Sequence, residues 1–411
     1  MSASADPLIR EQVTTPAPRG AARFLAAVGI SLYGDWLTTV ALVVLLFRLT
    51  GSATAPALYI LVRVAPRVVG PFIGGTLADD VGPIRIAASC SLIQGVLTGV
   101  VVLLAAAHLV WPIYLVVAVA QFLSSVAQPA WGALIPRVSS ERNLGRINGL
   151  YSSLFASALL VSPALGALLL PVIPAEWLIT FDALTFLVAA TLLLTLHRMD
   201  EPRGENAVPG VLAVLPVVLR DGTLRSFAAA WLANPAVITA LQAVLVVVAA
   251  QRFGHDTEVG WLYAAVGAGG LIGSLSFMRT TPARVTKLAI VFFTFVELAP
   301  LALFVWAPNL ILGCMLLFVS SIGGVLWQVY GSIGMQQRIP AQMLGRANAV
   351  TRTALSLGML LGALAATALV QPLGWQATVL VTSGSAFLLI LIAAAARSRH
   401  RFVHPATFLP D

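Results

Sequence analysis

The stretch GGTLADDVGPIR, from Gly74 to Arg85, places two adjacent carboxylates between two long apolar segments. Gly82 and Pro83 predict a tight turn, because glycine accepts unusual backbone angles and proline fixes φ. Asp79 and Asp80 are therefore expected beside a short turn that joins two helices. The stretch predicts that the chain reverses direction here at the surface of an apolar layer.

The composition is that of a membrane protein. Of 411 residues, 59% are hydrophobic and only 10% are charged, whereas a soluble globular domain carries about 25% charged residues. Apolar runs recur along the chain, each long enough to cross a bilayer as a helix of about 20 residues. The net charge of +8 lies between these runs and indicates orientation in lipid rather than nucleic-acid binding. Cys90 and Cys314 lie within apolar runs and indicate no disulfide framework.

The apolar runs predict an all-α membrane protein with twelve transmembrane helices in two six-helix bundles. The longest polar loop, Arg198–Gly210, falls between the sixth and seventh spans and divides the chain in the middle. The predicted spans are 24–47, 55–78, 86–107, 111–136, 146–170, 176–197, 226–250, 258–278, 286–306, 309–337, 346–370 and 375–396. The predicted organisation is a disordered cytoplasmic tail over 1–20, bundles over 21–197 and 223–396, a cytoplasmic linker over 198–222 and a C-terminal tail over 397–411.

The basic residues predict the orientation of the chain. Only Arg48 and Arg252 fall on one side of the predicted spans, and Arg63, Arg67 and Arg352 fall within spans. All other Lys and Arg residues fall on the opposite side. Because basic loops stay in the cytoplasm, both termini are expected there in a multi-pass protein.

The two halves of the chain resemble each other. LGRINGL (Leu144–Leu150) opens the predicted fifth span, and LGRANAV (Leu344–Val350) opens the eleventh. Repeated halves with a site between them near the middle of the membrane are typical of secondary transporters.

The loop between the second and third spans resembles the signature of the major facilitator superfamily. That signature is a glycine, three residues, Asp-Arg, one residue, a glycine and then basic residues, and the matching positions here are Gly75, Leu77, Ala78, Asp79 and Gly82. Asp80 stands where the family has arginine. We expect Gly75 to allow a close approach of helices and Gly82 to form the turn.

The resemblance covers roughly residues 20–400 and narrows to one branch of that family. Leu49–Asp79, Ser31–Trp36 and Gly260–Leu275 look like segments of macrolide-efflux and enterobactin-exporter-like proteins. The resemblance implies the major facilitator fold in a bacterial inner membrane. It also implies export of amphiphilic small molecules (drug, macrolide or siderophore-like), driven by proton antiport with alternating access.

The resemblance further implies a conformational latch on the cytoplasmic side. In this latch Asp79 lies at the N-terminus of span eleven, near Gly345 and Arg346, where unpaired backbone N–H groups attract negative charge. Arg137, at the inner end of span four, would hold Asp79 in place. The alternative is that Asp79 and Asp80 form only a solvated loop.

A second family feature is a Gly-Pro pair in span five of antiporters. It corresponds here to Ser162-Pro163 followed by Gly166, with Ser162 in place of the usual glycine.

Charged residues within the predicted spans are candidates for function, since each costs about 2.5–3.5 kcal/mol to insert. Asp35 lies near the middle of span one, Arg67 near the middle of span two, and Arg63 one helical turn from Arg67. We interpret Asp35 as a proton-coupling carboxylate that pairs with one of these arginines; the alternative is a permanent structural bridge.

Two other acidic residues lie within predicted spans. Glu297 is interpreted as structural, because spans three, six, nine and twelve are peripheral by resemblance. Asp182 is interpreted as structural or interfacial.

By resemblance, spans one, four, seven and ten line a central cavity. An apolar aromatic cavity with a few polar groups suits amphiphilic ligands. For each aromatic residue the alternative is helix packing or anchoring at the interface. The candidate lining residues are Tyr33, Trp36, Gln121, Trp131, Asn234, Gln242, Trp327 and Gln328.

Other classes of protein are disfavoured. The five histidines lie at span ends or in loops without metal-ligand spacing, so a membrane-embedded enzyme is not expected. VGAGGLIG (Val266–Gly273) lies in an apolar span, so Gly269 and Gly273 predict a close-packing face rather than a phosphate loop. Uptake and lipid flipping by the same fold stay open. The expected partners are an amphiphilic substrate, protons and the lipid bilayer, with no cofactor and no nucleic acid, and the expected state is a monomer.

Overall fold

The computed structural model describes most of the chain. All regular secondary structure in the described part is helical, and no strand occurs there. For residues 19, 79, 156, 341–346 and 349 it describes the backbone alone. The described residues are 19–139, 143–196, 218, 221–276, 285–339 and 341–396.

The helices are numbered here in chain order. Short 3₁₀ turns at Ala65–Val68 and Asp256–Glu258 and a π-helical turn at Ala249–Phe253 connect some of them. The helices are α1 (Arg19–Thr50), α2 (Thr54–Val64), α3 (Gly70–Val81), α4 (Pro83–Ala106), α5 (Val110–Val138), α6 (Leu144–Leu169), α7 (Ala175–Leu194), α8 (Gly222–Val248), α9 (Val259–Ser276), α10 (Lys287–Phe304), α11 (Leu310–Arg338) and α12 (Ala341–Ala395).

Most of these helices match the dimensions of a bilayer. In the described part of the chain, nine are long and apolar enough to cross a membrane, and ten if α2 and α3 count as one bent span. A helix needs about 20 apolar residues to span the hydrocarbon layer. The chain is therefore a multi-pass membrane protein.

The predicted second span is not one straight helix. α2 and α3 meet at an angle of 45° across the 3₁₀ turn Ala65–Val68. Pro66, in this turn, has no backbone N–H and cannot continue the α-helical ladder. The break falls between Arg63, in the last turn of α2, and Arg67, in the 3₁₀ turn. The regular helical spacing that was expected to place these two arginines on one face is therefore interrupted.

The last long helix contains the break predicted between the eleventh and twelfth spans. Gly374 has φ 77° and ψ 169°, which only glycine adopts readily, and Pro372 stands just before it. The polypeptide on either side is helical, from Ala341 to Ala395.

The predicted domain boundaries shift by a few residues where they can be compared. α1 begins at Arg19, inside the tail predicted over 1–20. Asp221 caps α8, because its side chain accepts hydrogen bonds from the backbone N–H groups of Thr223 and Leu224 at 2.7 and 2.9 Å. Most of the predicted tails and of the linker over 198–222 lies outside the described residues.

The close helix contact expected at Gly75 is made by Gly74 instead. A Cβ atom at Gly74 would overlap the carbonyl group of Val126 in α5, whereas one at Gly75 would meet nothing within 4 Å. The prediction for Gly75 is wrong in this conformation because adjacent residues on a helix point to different sides. The turn predicted at Gly82 and Pro83 is confirmed, since Gly82 has φ 104° and α4 begins at Pro83.

α9 carries glycines on two sides. Gly269 and Gly273 lie against α11, as the sequence predicted, with Cβ atoms there coming within contact of Phe318–Val325. Gly260 and Gly267 lie against α6, where added Cβ atoms would approach its backbone to 2.5 and 2.6 Å. α9 therefore packs backbone to backbone against α6, which belongs to the N-terminal part of the chain.

The N-terminal part (19–196) and the C-terminal part (221–396) also meet at one end of the helices. There Arg48, in the last turn of α1, donates hydrogen bonds of 2.5 and 2.8 Å to Asp256. Thr54 Oγ1 lies 2.8 Å from the side-chain oxygen of Gln371. We call this the Arg48 end and the opposite one, where α3 turns into α4, the Gly82 end.

Candidate functional site

A polar cavity of about 210 Å³, the large cavity, lies within the N-terminal part of the chain. α1, α2, α4, α5, α6 and α7 and the 3₁₀ turn contribute its lining. Typical small-molecule sites have volumes of about 300–1,000 Å³, so in this conformation it holds a small ligand or part of a larger one. Its lining includes Asp35, Trp36, Arg63, Arg67, Gln128 and Trp131.

Arg63 is a buried cation held by an aromatic ring. Its side chain is 7% exposed, and its guanidinium carbon lies 5.0 Å from the ring centroid of Trp36. A desolvated cation–π contact is worth about 2 kcal/mol. The Arg63 Nε atom is buried without a hydrogen-bond partner among the described residues. The contact with Trp36 therefore replaces part of the stabilisation that a hydrogen bond to Arg63 Nε would give.

Asp35 faces both arginines without bonding to either. It lines the large cavity together with Arg63 and Arg67 and interacts electrostatically with both. Within the described part of the chain, no carboxylate-to-guanidinium contact of 4.0 Å or less joins Asp35 to them. The direct ion pair expected from the sequence is not formed in this conformation, in which the Arg63 guanidinium lies over the Trp36 ring instead.

A second, smaller cavity of about 30 Å³, the small cavity, adjoins the first. The two share Asp35, Gln94 and Phe186 in their linings. A water molecule needs about 10–15 Å³ of such volume, so one or two waters fit in the small cavity. Asp182 lines it as well as Asp35, together with Thr38, Thr98 and Gln121.

The position of Asp182 corrects two expectations. It is 1% exposed and lines the small cavity, so of the two expected roles, structural and interfacial, only the interfacial one is contradicted. Gln94 on α4 and Phe186 on α7 line both cavities, although the corresponding spans, three and six, were expected to be peripheral. In this part of the molecule those helices reach the polar interior because α7 packs against α1 and α4.

Three of the predicted cavity residues in the N-terminal part line a cavity. Trp36 and Trp131 line the large cavity, and Gln121 lines the small one. Tyr33 instead donates a hydrogen bond of 2.9 Å to Ser157 in α6.

The predicted cavity residues of the C-terminal part behave differently. Asn234 and Trp327 are 1% and 3% exposed, and Trp327 packs edge to face on Trp231 at 5.1 Å. Their assignment to a cavity is wrong in this conformation, because helix packing covers both side chains. Gln242 is half-buried and Gln328 is exposed.

Sequence reasoning missed several lining residues of the large cavity. Ser91 and Gln94 come from α4, and Tyr151 and Phe155 come from α6. An isolated polar residue in an apolar span is costly unless it faces a polar interior, so Gln94 carried a usable signal. The aromatic residues of α6 carried no such signal.

The predicted latch stays a prediction. The side chains of Asp79, Gly345 and Arg346 lie outside the described residues. Gly345 and Arg346 fall in the first two turns of α12, and Arg137 lies in the last turn of α5.

One residue of the antiporter-like motif, Pro163, lies where the two parts of the chain meet, and Gly166 lies within the N-terminal part. The carbonyl of Pro163 lies against Gly260 of α9, and Gly166 lies against Val40 of α1. Ser162 is 1% exposed, and its hydroxyl has no partner in the described part of the chain. The motif therefore packs α6 against α1 and α9, and none of its residues lines either cavity.

A bundle of long apolar helices around a cavity that holds buried charges is the architecture of a membrane transporter. Residues 24–354 match the family model described as Major Facilitator Superfamily. The chain belongs to this superfamily and is a transporter.

Similar proteins match most of the length of this chain. The "Multidrug efflux pump Tap" of Mycobacterium tuberculosis is 24% identical over 373 residues, covering 87% of this chain and 88% of that protein. The protein of the same name from Mycolicibacterium fortuitum is 24% identical over 377 residues, covering 88% and 91%.

Solved structures share the fold. An auto-inhibited POT family peptide transporter superposes with a TM-score of 0.73 at 14% identity, covering 96% of this chain and 99% of that one. A mutant of the nucleoside transporter NupG gives 0.71 at 14% identity, covering 91% and 98%. At these identities the likeness concerns the fold alone.

Proposed function

We propose that the protein exports amphiphilic small molecules (drug, macrolide or siderophore-like) across the bacterial inner membrane by proton antiport. The observation that carries the proposal is Asp35, which faces Arg63 and Arg67 across a cavity inside the membrane. The efflux function named for the Tap relatives supports the direction of transport.

The proposed architecture is twelve spans in two six-helix bundles, acting as a monomer with both termini in the cytoplasm. Counting α2 and α3 as one bent span gives ten candidates. α9, with 18 residues, supplies another, and the break at Gly374 divides α12 into two. The excess of basic residues at the Gly82 end supports a cytoplasmic location for that end.

Alternating access is supported by where the two parts of the chain touch. The bonds Arg48–Asp256 and Thr54–Gln371 close the Arg48 end. Tyr151 and Phe155, which line the large cavity, lie within the first turns of α6, on the side of the Gly82 end. With the Gly82 end in the cytoplasm, this arrangement is a state closed to the outside.

Proton coupling follows from the charges around the large cavity. A proton on Asp35 removes the negative charge that faces Arg63 and Arg67 and so changes the net charge of the cavity by one. A cationic or amphiphilic substrate near Trp36 then meets a different electrostatic environment in the two protonation states. For a cationic substrate, binding of substrate and binding of a proton therefore oppose each other, as antiport requires.

The test uses purified protein in proteoliposomes with ethidium as a fluorescent amphiphilic cation. We expect ethidium transport only with an imposed pH gradient and at least a tenfold loss in Asp35→Asn. Glu297→Gln, which removes a buried acid outside both cavities, is the matched control and should retain transport. Undiminished transport by Asp35→Asn would remove Asp35 from the mechanism.

Direction is read in the same preparation. Movement of ethidium in the same direction as the protons, instead of in the opposite direction, would indicate uptake. Movement of a fluorescent phospholipid between leaflets without ethidium transport would indicate a lipid flippase.

A further inference from the structure

The carboxyl group of Asp182 lies directly against the backbone of α1, beside Asp35. A Cβ atom at Gly34 would overlap Asp182 Oδ1 and Thr185 Oγ1. Only a glycine at position 34 leaves room for this carboxyl group. The Gly34-Asp35 pair of the SLYGDW segment therefore brings carboxylates from α1 and α7 to one place in the membrane interior.

The contacts of Thr185 indicate a proton on Asp182. Thr185 Oγ1 lies 2.8 Å from the backbone carbonyl oxygen of Asp182 and 3.0 Å from Asp182 Oδ1. A hydroxyl group has a single proton to donate. Both contacts are full hydrogen bonds only if Thr185 donates to the carbonyl and Asp182 donates its own proton to Thr185.

The small cavity provides a second, independent observation. Thr38 lines it, is 8% exposed, and its hydroxyl interacts with the carboxyl group of Asp182 but makes no hydrogen bond of full geometry among the described residues. Buried polar groups in native proteins are nearly always satisfied by protein or by ordered water. The volume of about 30 Å³ holds one or two waters, so a water in contact with Thr38 fits between the two carboxyl groups.

The charges around the pair come from three elements. Besides Asp35 itself on α1, the facing titratable and charged groups are Tyr59 and Arg63 on α2 and Arg67 in the 3₁₀ turn. The side chains of α4 that line the small cavity, Gln94, Thr98 and Val101, are uncharged. Two carboxylates in a site of low dielectric constant repel each other strongly, and sharing a proton relieves this repulsion.

We propose that Asp182 and Asp35 form a carboxylate pair that shares one proton, with Asp182 as a second proton-binding residue of the transporter. This inference rests on the proposed proton antiport and adds a residue to its coupling site. The proton leaves Asp182, passes through water in the small cavity and binds to Asp35, so Asp182 becomes ionised as Asp35 becomes neutral. Asp35, which lines both cavities, then exchanges the proton with the large cavity.

The first test is infrared difference spectroscopy of the full chain in lipid nanodiscs, titrated from acid to alkaline pH. The carboxyl C=O band follows protonated Asp and Glu side chains directly and needs no substrate. We expect the pair to titrate in two steps in the unmodified protein. In Asp182→Asn one step is lost, and the remaining step shifts by about one pH unit or more. Glu297→Gln should lose its own band and leave both steps of the pair in place.

Gly34→Ala tests the geometry without removing a carboxyl group. The added methyl group displaces Asp182 and weakens its interaction with Asp35. The two titration steps should therefore come closer to each other on the pH scale, while their combined amplitude stays the same. Asp182→Glu keeps the proton-binding group and covers the case in which Asp182→Asn fails to fold, as judged by gel filtration.

Three outcomes overturn the pair. The first is an Asp35 step that does not change in Asp182→Asn, and the second is a pair of steps that does not change in Gly34→Ala. The third is a shift of both steps when sodium is added at constant ionic strength, which would indicate a metal-cation site. The proposed function fails separately. If the unmodified protein shows no transport driven by a pH gradient while the coupled steps persist, antiport is wrong and the pair stands. If transport depends on the gradient and the steps are uncoupled, antiport stands and the pair is wrong.

Discussion

Arg48 and Asp256 form a two-bond ion pair that joins the end of α1 to the turn before α9. The Arg48 Nε and Nη2 atoms donate to the two carboxylate oxygens at 2.5 and 2.8 Å. The side chains are 45% and 17% exposed, so solvent screens the pair. Exposed ion pairs of this kind contribute about 0.2–1 kcal/mol.

We predict that Arg48→Ala shifts the protein toward a state opened at the Arg48 end by a few-fold, the factor that this energy allows. Spin labels placed at the exposed positions Trp111 and Trp306 would measure the distance across that end by pulsed electron paramagnetic resonance. The population with the longer distance should grow.

The double variant Arg48→Asp with Asp256→Arg is the control. It restores a pair of opposite charges and should bring back the shorter distance. A distance distribution that does not change in Arg48→Ala would show that this ion pair does not hold the end closed.

The cation–π contact between Arg63 and Trp36 predicts a graded effect of substitution. Trp36→Ala should lower the thermal stability by about 2 kcal/mol or more, because it removes the contact and leaves a cavity beside a buried charge. Trp36→Phe keeps a ring and should lose less. Both variants are compared by thermal unfolding in detergent, monitored by far-ultraviolet circular dichroism, which does not depend on tryptophan fluorescence. Equal losses in the two variants would argue that size and not the ring stabilises Arg63.

The packing of α9 on α6 gives a matched pair of substitutions one helical turn apart. A Cβ at Gly267 would lie 2.6 Å from the Leu160 Cα atom, whereas one at Gly270 would have its nearest neighbour at 3.5 Å. Gly267→Ala should cost about 1–3 kcal/mol through overpacking and abolish most ethidium transport. Gly270→Ala should be close to unmodified protein in both measurements. Comparable loss in both variants would contradict the backbone-to-backbone contact.

Gly74 and Gly75 offer a second pair of adjacent positions. Gly74→Ala places a methyl group against the Val126 carbonyl and should reduce stability by about 1–3 kcal/mol. Gly75→Ala meets open space and should leave the melting temperature unchanged. If Gly75→Ala abolishes transport while stability is retained, Gly75 contacts another helix in a different state of the cycle, as the latch implied by the family motif requires.

Much of the helical framework was predictable from the sequence. Apolar runs locate α4 and α5 within a few residues, because a helix in lipid must satisfy its own backbone hydrogen bonds. The break at Gly374 falls between the predicted eleventh and twelfth spans, whereas the bend at Pro66 was not predicted, although proline is the residue that interrupts a helix there. Asp35 stood out because a charge in the hydrocarbon layer is costly.

The partners of these residues were not predictable in the same way. Asp182 meets Gly34 only because α7 packs on α1, and no periodicity in either helix specifies that contact. Trp327 was expected at a cavity and is covered by Trp231, since aromatic side chains suit packing and binding equally. The choice between Gly74 and Gly75 depends on helix rotation, which a short motif does not fix.

The contact between α6 and α9 consists largely of main chain, at Gly260 and Gly267. Rotating one helix over the other there reorders few side-chain rotamers and so carries little entropic cost. The residues of this contact are separate from the aromatic and polar residues that line the two cavities. Substitutions around the cavities can therefore accumulate without disturbing the main-chain packing of α9 on α6.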